Sequence, residues 1–153
     1  MTRKRTRRKH YALVNPITYA IEGAAIASQS ALDKLRLIEL AAIDAFARGH
    51  ATVQDWHSMT QMLNLAETMA GMGIGRQEVM PACRAAQAHL IEATQRYERT
   101  GRMGTTGPGL QALRDLYEYH DLQRVSVARS DYEKAIQMVT NRIRSKAPEV
   151  IEL

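Results

Sequence analysis

From Ile17 to Ile143, apolar side chains recur at every third or fourth position, and each run stops at a glycine, a proline or a capping residue. That spacing stacks them on one face of an α-helix, and no stretch of the chain alternates convincingly as a half-buried strand would. The residue types agree with the spacing. Hydrophobic residues make up 45% of the chain but aromatic ones only 5%, with one Trp and one Phe. The core must then be built from Ala, Leu, Ile and Met, which favour helix, and Ala lets helices approach closely. A length of 153 residues suits one domain that buries about two thirds of its unfolded surface. No repeat of a solenoid length recurs. The expected fold is all-α: a compact bundle of five to six helices over residues 15–147, with a disordered basic arm at 1–14 and a tail at 148–153.

The helix boundaries can be read from cap chemistry. Asn15-Pro16 is a helix start, because Asn caps and Pro suits the first helical position, and Ile17, Ala20, Ile21, Ala24 and Ala25 follow as a small-residue stripe. Ser30 reads as a second cap or a bend before Leu32, Leu35, Ile38, Ala42 and Phe46, and Gly49 ends that helix just after Arg48. Thr52 with Asp55 forms a capping box for the stripe Val53, Trp56, Met59, Leu63, Ala66 and Ala70. The next helix is expected over 77–99 with Pro81 in its first turn. Its inner face is Val79, Cys83, Ala86, Leu90 and Ala93, and its outer face carries Arg84, Gln87, Gln95 and Arg99. TGRMGTTGPG at 100–109 breaks the pattern and reads as a mobile connection. Leu110, Leu113, Leu116, Tyr117 and His120 mark a further helix, followed by a connector at 124–129. Ser130 and Glu133 look like a capping box for a last helix through Tyr132, Ala135, Ile136, Val139 and Ile143, which Ala147-Pro148 stops.

Charge is distributed unevenly. Arg3, Lys4, Arg5, Arg7, Arg8 and Lys9 carry the excess: the whole chain has 21 basic and 16 acidic residues, and without those six the balance is 15 against 16, a net charge of −1. An arm this dense attracts polyanions over roughly a Debye length, about 8–10 Å, and nucleic-acid phosphate is the polyanion it meets most. The expected nucleic-acid contacts are therefore Arg3, Lys4, Arg5, Arg7, Arg8 and Lys9, with Arg102 in the glycine-rich loop and Arg124 and Arg129 in the connector. A helix-turn-helix over Leu116–Val139 would put Arg124, Arg129 and Lys134 near phosphates and Gln137 or Asn141 near base edges. However, Asp131 and Glu133 oppose a phosphate at that helix start, so two packed bundle helices are preferred.

Catalytic and metal patterns are poor. The glycine-rich loop lacks the Gly-Lys-Ser/Thr ending of a phosphate-binding loop, and no strand precedes it. His120 and Asp121 point about 100° apart on one helix, so Asp121 cannot orient His120 as a base. The histidines show no helical pairing with one another, so no metal and no cofactor is expected. Cys83 is the only cysteine and reads as a small core residue in a reducing compartment. Trp56 reads as a core anchor. Met59, Met62, Met69, Met72 and Met80 read as core filling, with an adaptable binding groove as the other use of such a cluster. Thr6–Tyr11 loosely echoes a twin-arginine export signal, but Asn15, Pro16 and Glu22 interrupt the apolar stretch behind it. No stretch is long enough to span a membrane, and a cytoplasmic location is expected.

Taken together, these features point to a non-enzymatic helical binding protein. Its expected partner is nucleic acid, DNA or RNA, or a nucleoprotein complex, engaged through the arm, and self-association is compatible with the body. The alternative is an accessory protein of phage or plasmid type that inhibits or assembles a host protein complex through its helical body, with the arm touching an acidic protein surface.

Overall fold

The computed structural model describes residues 29–145. Five helices follow in order: α1 (Gln29–Arg48), α2 (Val53–Gly71), α3 (Arg76–Thr100), α4 (Gly107–Ser126) and α5 (Arg129–Arg144). Extended backbone pairs only once among the described residues, in an isolated antiparallel bridge between Ala51 and Met103. The basic arm, the helix expected from Asn15 and the C-terminal tail lie outside the described residues.

Most helix ends follow the expected chemistry. The Thr52 side chain accepts from the Asp55 backbone N–H at 3.2 Å, while the Asp55 carboxylate accepts from the Thr52 backbone N–H at 2.8 Å. This reciprocal box satisfies two donors that the first turn of α2 would otherwise leave bare. Thr106 caps α4 in the same way, accepting from the Gly109 N–H at 3.2 Å, with Pro108 in the first turn.

Three expectations at helix ends are corrected. Ser30 lies inside α1 rather than ahead of it. Pro81 is the sixth residue of α3, past the first turn because the helix starts one residue earlier than expected, and there its missing N–H removes a hydrogen bond to the Gln77 carbonyl. The Ser130–Glu133 box does not form, because Ala128 is the N-cap of α5 and Arg129 instead pairs with Glu133 at 3.1 Å. The physical reason is packing: Val127 lies against the α5 core, so the helix begins immediately behind it and Ser130 takes helical backbone geometry.

The helix α2 is the central element and packs against α1, α3, α4 and α5. Its residues divide between two cores. Trp56, Met59, Met62, Leu63, Ala66 and Ala70 join α1, α3 and α4 in the larger one. On the other side Leu65 and Met69, with Leu35 of α1, receive Tyr132, Ala135, Ile136 and Val139 of α5. Met59, Met62 and Met69 are fully buried, so they fill the core and do not form an exposed groove. Truncating any one of these costs about 2–5 kcal/mol. The long contact of α5 is with α2 rather than α4, which removes the helix-turn-helix arrangement.

The glycine-rich loop is pinned rather than mobile. Met103 is buried in the larger core and its carbonyl accepts from the Ala51 N–H at 3.1 Å. Gly104 lies so close to the α1–α2 turn that a Cβ there would stand 2.9 Å from the Gly49 Cα. Gly107 to Gly109 are not loop at all but the first residues of α4.

Candidate functional site

Two of the residues singled out in the sequence, Asp121 and Arg124, meet Arg36 and Glu39 where α1 and α4 pack. The two helices run antiparallel: Gly104, just ahead of α4, lies against Phe46 and Gly49 at the end of α1, while Arg36 and Glu39, further back along α1, reach Asp121 and Arg124 toward the end of α4. Arg124 donates from Nη1 and Nη2 to the two carboxylate oxygens of Glu39, at 2.9 and 2.8 Å. The two side chains are 1% and 2% exposed. Nη2 of Arg124 also reaches Asp121 at 3.0 Å, and Asp121 accepts from Nε of Arg36 at 2.8 Å. Arg36 extends the chain to Asp33 on the surface at 3.0 Å.

Electrostatics match this geometry. Burial pushes the Glu39 carboxyl above its usual range and the Arg124 charge pulls against it; the fork of two short, parallel N–H···O bonds is that of an ionised pair. Burial acts to lower the Arg124 guanidinium, but the Glu39 carboxylate outweighs it and holds it raised. Burial also acts upward on Asp121, yet the hydrogen bond and charge of Arg36 and the charge of Arg124 hold its carboxyl below the usual range. Tyr132 is pushed up to about 12, chiefly by burial. Its hydroxyl and the Arg124 Nε are buried without a hydrogen-bond partner.

His120 faces away from this cluster. Gln123 donates through Nε2 to the carbonyls of Ala66 (3.2 Å) and Ile74 (2.8 Å), which turns its Oε1 toward His120 Nδ1 at 2.9 Å. An amide oxygen only accepts, so Nδ1 carries the proton and Nε2 is left as a buried acceptor without a partner. Complete burial and the nearby Arg124 charge push the imidazole down to about 3. Gln123 thus joins α4 to α2 and the α2–α3 loop, with the neutral ring sealed beside it. Asp121 points to Arg36 and does not orient the ring. Burial likewise pushes the Cys83 thiol up to about 12, which keeps it protonated and unreactive.

The expected phosphate contacts are dispersed. Arg124, placed among them from sequence, is instead a buried partner of Glu39 and has no path to a phosphate. Arg102 is exposed in the α3–α4 loop. Arg129 opens α5 with its side chain 61% exposed, paired with Glu133. Because α4 lies between them, Arg102 and Arg129 sit at opposite ends of the bundle, about 30 Å apart by the length of a 20-residue helix. Arg3, Lys4, Arg5, Arg7, Arg8 and Lys9 lie outside the described residues.

Glu39 was missed in the sequence, although a signal was present. It lies four residues after Leu35 and three before Ala42, on the apolar stripe itself. A carboxylate there needs a buried cation, and Arg124 lies close to the stripe of α4. Among the described residues no group of His, Cys, Asp and Glu could hold a metal ion, and no helix is long and apolar enough to cross a membrane. Comparison with family models, curated proteins and solved structures finds no match for the chain.

Proposed function

We propose that this is a non-enzymatic cytoplasmic binding protein that engages nucleic acid or a nucleoprotein complex through Arg3–Lys9. The observation that carries the reading is the concentration of six cations in seven positions beside a remainder of net charge −1. The described helices add support of another kind. Their buried charges, Glu39 and Arg124, are committed to each other and to the partly buried Asp121 and Arg36, and their candidate catalytic groups, His120 and Cys83, are sealed in packing. Polyanion affinity therefore falls to the arm, with Arg102 and Arg129 as peripheral contacts at the two ends of the bundle. An arm of this kind contacts phosphates and reads no sequence.

The test is fluorescence anisotropy of the full chain against duplex DNA, single-stranded DNA and RNA at two salt concentrations. A second chain carries Gln at Arg3, Lys4, Arg5, Arg7, Arg8 and Lys9. Binding by the native chain should weaken as salt rises, by about 0.9 log unit in affinity per log unit of salt for each duplex phosphate neutralised. The Gln chain should lose most of that slope. Absence of binding at low salt, or binding unchanged by neutralising the arm, overturns the reading.

A further inference from the structure

The solvent-facing sides of α1 and α4 form a shallow groove that no other described helix covers. Leu40, Ile43 and Asp44 line one wall, and Arg114, Tyr117 and Glu118 the other. The Arg36–Asp121 bond sets the register of the two helices. In that register Leu37 stands level with Leu122, and Asp44 level with Arg114. Leu37 and Leu122 are 67% and 62% exposed, and Leu40 and Val125 beside them are also exposed. Four large apolar side chains open to water on two adjacent helices mark an interaction surface. Asp44 holds Arg48 in an exposed pair at 2.8 Å, the kind worth little in water. Arg114 has no ion-pair partner among the described residues.

The geometry points to a second copy of this chain as the occupant, related by a two-fold axis parallel to α1 and α4. Such an axis keeps height along the helices and exchanges the α1 wall for the α4 wall. It sets Leu37 of one copy against Leu122 of the other and Asp44 against Arg114, and it repeats both contacts reciprocally. That self-complementarity is what an isologous interface requires. The four helices then pack as a four-helix layer around the leucines. The area is sufficient. A 20-residue α1 is about 30 Å long, and two helices side by side are about 20 Å wide, so the footprint is about 600 Å² per copy. The total of about 1,200 Å² lies at the lower edge of stable interfaces, which suits a reversible dimer.

Sedimentation velocity on the full chain over a broad concentration range tests this, with circular dichroism to confirm that each variant is folded. The native chain should associate as a dimer. Leu122→Glu should leave a folded monomer. Arg114→Asp and Asp44→Arg should each weaken dimerisation about tenfold, and the two together should restore it to within about threefold of native. The axis is read by crosslinking: a mixture of Leu37→Cys and Leu122→Cys chains should form disulfide-linked dimers faster than either alone. Cys83, being buried, does not interfere. A native chain that stays monomeric at all concentrations overturns the proposal and leaves the groove to a foreign partner. So does a dimer that ignores the Leu122 and charge variants, and faster crosslinking of either variant with itself overturns the axis.

Discussion

The Arg124 guanidinium donates two parallel hydrogen bonds, 2.9 and 2.8 Å long, to the carboxylate of Glu39, 85 residues earlier in the chain. This pair ties the end of α4 to the middle of α1 inside the bundle. Removing one partner strands the other without water. Arg124→Leu should therefore lower stability by about 3–5 kcal/mol. Adding Glu39→Leu should recover most of that loss, because two apolar groups pack without an orphaned charge. Urea unfolding of the two single variants and the double variant measures this. A double variant no more stable than Arg124→Leu would show that the pair does not couple.

The His120 imidazole sets an acid limit on stability. Its native value is about 3 against an ordinary 6.5. Between these two values the unfolded chain binds the proton more readily than the folded chain. Stability should then fall as pH drops below about 6.5 and continue to fall toward about 3, by up to about 1.4 kcal/mol per pH unit. Asp121, held below its usual range, acts in the same direction lower in the acid range: the stability it adds is present above its unfolded value and lost as pH falls. A His120→Gln chain should show a shallower dependence of unfolding free energy on pH between 6 and 4 than the native chain. Equal slopes would refute this assignment.

Two glycines should respond in opposite ways to the same change. At Gly104 an added Cβ would meet the Gly49 Cα at 2.9 Å, backbone against backbone, whereas at Gly71 nothing lies within 4 Å. Gly104→Ala should force the α3–α4 loop off the α1–α2 turn and destabilise the protein by about 1–3 kcal/mol. Gly71→Ala, at the end of α2, should be neutral or stabilise by up to about 1 kcal/mol. Melting temperatures of the two variants make the comparison directly.

Cys83 should be silent in the folded protein. Burial pushes its thiol up to about 12, so both the thiolate fraction and access are low. Labelling by a thiol reagent at neutral pH should be slow in buffer and reach the rate of a free cysteine in denaturant. Fast labelling of the native chain would contradict the packing of α3.

Much of this fold could be read from the residues in order. Helix propensity, cap chemistry and the 3.6-residue period act within a few positions of one another. Accordingly, Thr52 with Asp55, the inner face of α3 and the core role of Trp56 were legible, and Trp56 Nε1 donates to the Leu90 carbonyl at 3.4 Å. Where a local signal competed with packing, packing prevailed. Val127 seated against the α5 core cancels the Ser130 cap, and Met103 buried in the bundle turns an apparently loose glycine-rich segment into a fixed strap.

The site divides along the same line. The sequence by itself determined that the cations of the arm stand apart from a nearly neutral body, because net charge is a sum that needs no coordinates. It also determined that His120 and Asp121 diverge, since adjacent helical residues must. Only the tertiary structure decided that Arg124 is a buried partner of Glu39 rather than a phosphate contact, that Arg102 and Arg129 lie at opposite ends, and that Leu37 and Leu122 are exposed on two helices that pack side by side. Each of these depends on which helix lies beside which. That choice is made by the burial of many side chains at once, and no window of neighbouring residues contains it.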